Sequence, residues 1–256
     1  MKAVIIGINY LGTSKELKGC INDALATYAY LLENYPITKK DVRLMTDETV
    51  EKPTMRNIKS ALVWLSKEST DNSSLFFSYA GHGSQERDSS SEEEDGKDER
   101  IIALDGSIND DEIQTYLFSG LKPGARLFCL FDCCHSGTML DLDRLNFITF
   151  VSEDGVKGCF GCTKKKKIKK KGRDVICFGG CTDKGKSYET TVREEKKSVR
   201  RGVFSYYFLN FLKNNELTYT ELIDLLQSTL SKRKSAQSPQ LAYSGEVDES
   251  DIVKLL

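Results

Sequence analysis

The sequence predicts an α/β protein with a mostly parallel central sheet and helices on both faces. Three observations point there. Short apolar runs recur at Lys2–Ile8, Leu75–Tyr79, Arg126–Phe131 and Val175–Phe178, and read as buried strands. Segments with apolar residues at helical spacing lie between them, and that alternation marks an open α/β sheet. At 256 residues and 39% hydrophobic content, the chain can build a sizeable core as one large domain or two small ones.

The elements follow in order. Lys2–Ile8 is a strand running into a loop with Asn9 and Gly12. Ile21–Leu32 sets Ile21, Ala24, Leu25, Tyr28, Leu31 and Leu32 at helical spacing, with Asn22 and Asp23 at its start as candidate caps. Val42–Met45 is a second strand. Thr54, after Pro53, caps a helix that carries Ile58, Ala61, Leu62 and Leu65 on one face. Phe204–Leu212 and Thr220–Leu230 read as late helices, and Leu241–Tyr243 as an edge strand.

Charge and composition exclude several classes. Lys and Arg total 37 against 38 Asp and Glu, so no dedicated nucleic-acid binder is expected. No apolar run reaches the roughly 18 residues of a membrane span. The start, MKAVIIGINYLG, reads as a buried strand and not as a signal peptide, so the eight cysteines are expected as reduced thiols in the cytoplasm. Glycines after the first strand raise a nucleotide-binding reading, but no phosphate-cradling G-x-x-x-x-G-K-[ST] follows.

Two segments break the pattern. Ser89–Glu99 is polar and acidic, hence a solvated loop. Lys164–Arg173 (KKKKIKKKGR) concentrates like charge that resists packing. The expected organisation is a large region at 1–155, a basic flexible linker at 156–173, and a small region at 174–256 completing the same sheet.

The two histidines are informative. His82 sits in YAGHGS directly after the third strand, and His135 in DCCHSG directly after the fourth. In open α/β sheets the site lies beyond the C-terminal strand ends. A cysteine nucleophile needs an imidazole nearby, because the thiolate is the reactive form. His82 precedes Cys134 by about 50 residues, the spacing expected of a caspase-type pair.

These motifs resemble those of the metacaspases. The resemblance continues through KGCINDA at Lys18–Ala24, EDGKDERII at Glu94–Ile102 and SINDDEI at Ser107–Ile113. It also takes in CFGGCTDKGKSYET at Cys177–Thr190 and QSPQLAYS at Gln237–Ser244, so it covers nearly the whole chain in order. It implies a caspase-like three-layer sandwich and a cysteine endopeptidase, type I-like. With the first strand at residue 2, the family's prodomain is expected to be missing.

By this resemblance Cys134 is the nucleophile and His82 its acid–base partner, with Cys133 an auxiliary buried thiol and His135 a noncatalytic loop residue. The N–H groups of Gly83 and Cys134 are natural oxyanion donors. The family cleaves after Arg or Lys, and the matching pocket positions are Cys20, Asp23 and Asp132. Two carboxylates there favour a cationic side chain. Asp98, Asp110, Asp111 and Asp141 match positions that hold calcium in related metacaspases, and four carboxylates from separate loops suit that ion. The resemblance also implies a monomer acting on protein or peptide substrates, with no nucleic acid and no membrane involved.

Two positions depart from the pattern. Ala80 replaces a Ser two residues before the histidine, which removes a pocket hydroxyl. Tyr188 replaces an Ala and either narrows the pocket or faces solvent. The Lys-rich segment reads as a connector, a nuclear address or a self-processing site. Cys159, Cys162, Cys177 and Cys181 raise a zinc alternative, against which stands the apolar strand around Cys177. The rival to an active peptidase is a catalytically silent, calcium-responsive scaffold with the same fold.

Overall fold

The computed structural model describes residues 1–67, 69–87, 97–134, 136, 139–140, 142, 144–146, 150–151, 157–158, 174–181, 187–194, 197–233, 237–245 and 247–256. The chain runs β1 (Lys2–Gly7), α1 (Cys20–Asn34), β2 (Val42–Thr46), α2 (Met55–Ser66), β3 (Ser74–Ala80), β4 (Gly83–Arg87), β5 (Lys97–Ala103), β6 (Gly106–Asn109) and α3 (Asp110–Phe118). It continues with β7 (Arg126–Asp132), β8 (Arg144–Asn146), β9 (Phe150–Val151), β10 (Lys157–Gly158), β11 (Asp174–Gly179), β12 (Glu189–Glu194), β13 (Lys197–Gly202), α4 (Val203–Asn214), α5 (Tyr219–Ser231) and β14 (Gln240–Ser244).

Seven strands form the central sheet in the order β2-β1-β3-β7-β11-β14-β8. The first five are mutually parallel, and β14 runs antiparallel to β11. The mostly parallel α/β sheet is therefore observed, with strands from the late part of the chain completing it. Leu241–Tyr243 is not at the edge. It lies inside β14, between β11 and β8, and β8 forms the margin.

Side chains alternate across the sheet as a pleated strand requires. Val4, Ile6, Phe77, Leu127, Phe131 and Val175 face α2 and α3. Ala3, Ile5, Phe76, Phe128, Leu130, Ile176 and Phe178 face α1, α4 and α5. Helices on both faces make three layers. Phe76, Phe128 and Phe178 stack across neighbouring strands at 6.0 and 5.7 Å between centroids, pinning β3, β7 and β11 together.

Thr54 caps α2 as expected, its hydroxyl accepting the Asn57 N–H at 3.3 Å. The caps expected at Asn22 and Asp23 are not formed. Helix α1 begins at Cys20, so both residues lie inside its first turn. Asn9 reaches the first turn from a distance, its Oδ1 accepting the Ile21 N–H at 3.2 Å, while Glu189 Oε1 accepts the N–H groups of Lys18 and Gly19 just before the helix at 2.8 and 2.5 Å.

Besides the two-stranded β9–β10 pair, two smaller sheets rest on this frame. β4-β5-β6 follows His82, and β12 pairs with β13 as a hairpin against α1. Neither was legible as strands, because charged residues interrupt their alternation. Among the described residues, no helix is long and apolar enough to cross a membrane. The basic segment Lys164–Arg173 lies outside the described residues.

Candidate active site

Backbone register builds the centre of the site. β3 and β7 are parallel neighbours, and Ala80 pairs with Asp132. His82 and Cys134 each lie two residues past that pair, so both leave the sheet at the same level on adjacent strands. Gly83 rests against the second loop, and a Cβ there would lie 2.0 Å from the Cys134 carbonyl oxygen. Only glycine permits that approach.

Tyr10 organises the histidine. Its ring packs on the imidazole at 4.7 Å between centroids, and its hydroxyl accepts the His82 N–H at 2.8 Å. The same hydroxyl meets Tyr79 Oη at 3.0 Å and donates to the Ile102 carbonyl at 2.8 Å. Tyr10 adopts φ 52°, the left-handed region that side-chain-bearing residues seldom occupy. Burial pushes its phenol well above the ordinary value, so it stays protonated.

His82 Nε2 lies 2.7 Å from the Lys15 carbonyl oxygen. A carbonyl only accepts, so Nε2 carries the ring hydrogen in the neutral imidazole. Nδ1 keeps the lone pair and is the nitrogen available as a base.

Cys134 is partly exposed, whereas Cys133 is fully buried. Burial, followed by the neighbouring Cys181, pushes the Cys133 thiol well up, which leaves it inert. The Ser187 N–H donates to Cys134 Sγ at 3.3 Å. His135 lies outside the described residues.

Asp23 and Asp132 converge beside this centre and are both buried. A Cβ on Gly202 would sit 2.8 Å from Asp23 Oδ2 and 2.3 Å from Asp132 Oδ2. Asp132 Oδ2 accepts the Ser205 N–H at 3.0 Å, and Asp23 Oδ2 accepts the Gly202 N–H at 2.7 Å. Burial raises both carboxyls, and each is pulled back down by its donors. For Asp23 the chief counterweight is Arg201, whose Nε donates to Oδ1 at 2.6 Å. Cys20 is buried next to both acids, and burial followed by their charge pushes its thiol up.

The two departures noted in the sequence resolve differently. Ala80 lines a narrow cavity with Asp23, Thr27, Ser78 and Ser205, so the missing hydroxyl is missing from beside Asp23. Tyr188 is 40% exposed and faces solvent.

The calcium set is only half described. Asp110 and Asp111 open α3, where Asn109 is the cap and negative charge suits the helix dipole. Asp110 Oδ1 accepts the Asp111 N–H at 3.0 Å, and Oδ2 accepts the Glu99 N–H at 3.3 Å. The Asp98 side chain and Asp141 lie outside the described residues. Among the described residues, no three Asp, Glu, His or Cys side chains form a group that could hold a metal. Of the zinc candidates, Cys177 and Cys181 are buried free thiols, and Cys159 and Cys162 lie outside the described residues.

Sequence reasoning missed Tyr10, Ser187 as a donor, and Arg201. Nothing local marks Arg201, which stands in an Arg-Arg pair of a charged strand.

Comparison with known proteins follows the same lines. A family model described as "Metacaspase, peptidase C14 domain" matches residues 1–143. The Metacaspase-1 of Kluyveromyces lactis is 34% identical over 96% of this chain and 66% of its own length. That of Pyricularia oryzae is 34% identical over 98% of this chain and 73% of its own. The chain thus spans somewhat less than two thirds of the Kluyveromyces relative. The crystal structure of protein GSU0716 from Geobacter sulfurreducens superposes with a TM-score of 0.65 at 22% identity, covering 96% of this chain and 94% of that one. The structure of pro-sf-caspase-1 superposes at 0.51 and 11% identity, covering 96% and 91%. These two share the fold.

Proposed function

Because this chain belongs to the metacaspase family of C14 peptidases, we propose that it is a cysteine endopeptidase cutting after Arg or Lys through Cys134 and His82. The observation that carries the reading is the β3–β7 register, which sets both residues at equal offsets on adjacent parallel strands.

The Cys134 thiolate forms a C–S bond to the substrate carbonyl carbon, its proton having passed to His82 Nδ1. The N–H groups of Gly83 and Cys134 meet the charge on the carbonyl oxygen. His82 then gives its proton to the leaving amine as the C–N bond breaks, leaving a thioester. Water attacks that thioester as His82 takes its proton, and the acid product departs with the thiol restored. The Asp23 and Asp132 carboxylates receive the cationic side chain. That Asp23 suits a guanidinium is supported by the one it already holds, Arg201.

Calcium stimulation belongs to the same proposal. Asp110 and Asp111, with Asp98 and Asp141, are the oxygen donors that would hold the ion. Bound there, it would tie the start of α3 to β5, which carry Asp110, Asp111 and Asp98, and take no part in bond breaking. The protein acts as a monomer in the cytoplasm on protein or peptide substrates, with the Lys-rich segment as a self-processing site or nuclear address. Neither nucleic acid nor membrane is a partner.

The test is a set of fluorogenic peptides differing only in Arg, Lys, Asp or Ala before the scissile bond, assayed in calcium and in chelator. Hydrolysis of the Arg and Lys peptides, raised by calcium and absent from Cys134→Ala, is expected. Preference for Asp or Ala would overturn the specificity, and no hydrolysis under any condition would leave the silent scaffold. Calorimetric titration with calcium chloride, repeated on Asp110→Asn, tests the ion separately from activity.

A further inference from the structure

The acid pocket proposed for the substrate cation is filled by the chain itself. Arg201 is 4% exposed along its side chain. Its Nε donates to Asp23 Oδ1 at 2.6 Å, and its Nη1 donates to Glu194 Oε1 at 2.6 Å. Its Nη2 is buried without a hydrogen-bond partner among the described residues. A guanidinium tailored to the site would use that third nitrogen, so Arg201 occupies the pocket without exhausting its own donors.

The hairpin that carries Arg201 is docked through groups at the N-terminal end of α1. Glu189 of β12 accepts from Lys18 and Gly19, the Asn22 side chain donates to the Arg200 carbonyl at 2.9 Å, and the Gly202 N–H reaches Asp23. These are polar contacts, as is the one from Arg233 Nη2 to Thr190 Oγ1 at 3.4 Å, and Glu194 is itself 38% exposed. Contacts of this kind can be exchanged for water when the hairpin lifts, whereas the apolar layers beneath the sheet cannot.

We propose that Arg201 is a tethered occupant of the substrate's cation site, and that the enzyme is latent until the β12–β13 hairpin withdraws it. This rests on the reading that Asp23 and Asp132 receive a substrate Arg or Lys. Substrate and Arg201 then compete for one carboxylate, and apparent affinity scales with the fraction of molecules whose hairpin is open.

The experiment compares full-length wild type with Arg201→Ala and Glu194→Gln. Activity is read as kcat/KM on the Arg, Lys and Ala peptides. Binding of N-acetylarginine amide is read by thermal shift in a Cys134→Ala background. Expected for Arg201→Ala is a gain of about tenfold or more, carried by KM and confined to the Arg and Lys peptides. In the Cys134→Ala background, N-acetylarginine amide should raise the Tm of Arg201→Ala but not of the Arg201-intact protein. Glu194→Gln takes the charge from one of the two holds on Arg201 at a partly exposed site, so it should fold normally and gain severalfold. It decides the matter if Arg201→Ala does not fold.

A folded Arg201→Ala with no gain on basic peptides and no amide binding would overturn the proposal, as would a gain equal across all three peptides. So would a Glu194→Gln no faster than wild type where Arg201→Ala cannot be purified. If both proteins cut only the Ala peptide while Arg201→Ala alone binds the amide, the tethered occupant stands and the basic specificity fails.

Discussion

The two halves of the site are held by different forces. His82 and Cys134 owe their positions to hydrogen-bonded register between β3 and β7, backed by three stacked phenylalanines. Asp23, Asp132 and Arg201 come from α1, β7 and β13, and are held by buried charge. Register is insensitive to pH and salt, because it rests on backbone groups and apolar packing. Buried charge is not, and removing one partner leaves the other exposed to the full cost of desolvation. The proposed reacting groups are therefore fixed, while the acids proposed to receive the substrate stand on a balance that can be tipped.

The largest effect should fall on the fixed side. His82→Ala removes the proposed acid–base group, and kcat should fall by roughly 10²- to 10⁴-fold with the fold intact. Cys133→Ala, one residue from the proposed nucleophile, should keep most of the activity, since that thiol is buried and faces the core. Steady-state kinetics with far-UV circular dichroism check both. Equal losses in the two variants would mean that the loop, and not the Cys134 sulfur, sets the chemistry.

The charged side should break next. Asp23→Ala leaves the Arg201 guanidinium buried with only Glu194 as a charged partner. Loss of one member of a buried pair costs about 3–5 kcal/mol. Urea denaturation of wild type and variant measures it. A loss below about 1 kcal/mol would show that the hairpin lifts freely and lets Arg201 reach water.

These two sides were unequally legible. The central strands announce themselves, because β1, β3, β7 and β11 are buried on both faces and read as continuous apolar runs. The histidine and cysteine motifs follow directly on two of them, so position along the chain gave position in space. The hairpin strands, ETTVRE and KSVRRG, carry charge on both faces and read as loop. Nothing near Arg201 tells that its partner is Asp23 at the far end of the chain. That contact exists only once the sheet has brought α1 and β13 together. Helix α3 did carry a signal, Asn109 with Glu112 three residues on and Ile113 after it, but its acids drew attention as metal ligands.

Tyr10 bridges the comparison, since it steadies the histidine through a strained backbone and a shared hydroxyl. Tyr10→Phe keeps the ring on His82 and leaves the His82 N–H and Ile102 carbonyl without that partner. A stability loss of about 1–3 kcal/mol is expected. A modest fall in kcat with KM unchanged should accompany it, and calorimetry beside kinetics would read both. Unchanged kcat in a destabilised protein would limit Tyr10 to holding the loop.

The smallest effect is also the one that most directly sharpens the contrast. Asp132 has its carboxyl raised by burial, with the Ser205 and Ser187 hydrogen bonds opposing that rise. A raised folded value means that the native state keeps this proton to higher pH than the unfolded chain does. Stability therefore falls as pH rises from the ordinary carboxylate range, near 4, towards the raised value, and levels off above it. Asp132→Asn keeps an oxygen for the Ser205 N–H and has no charge to bury. The variant should match wild type most closely in acid and gain on it as pH rises, and relief of the like charge on Asp23 acts in the same direction. Denaturation midpoints taken from pH about 4 to 8 test this. A gap that narrows with rising pH would mean that the ionised Asp132 is stabilised where it sits, and the pocket would then be an anion's resting place even without a cation to fill it.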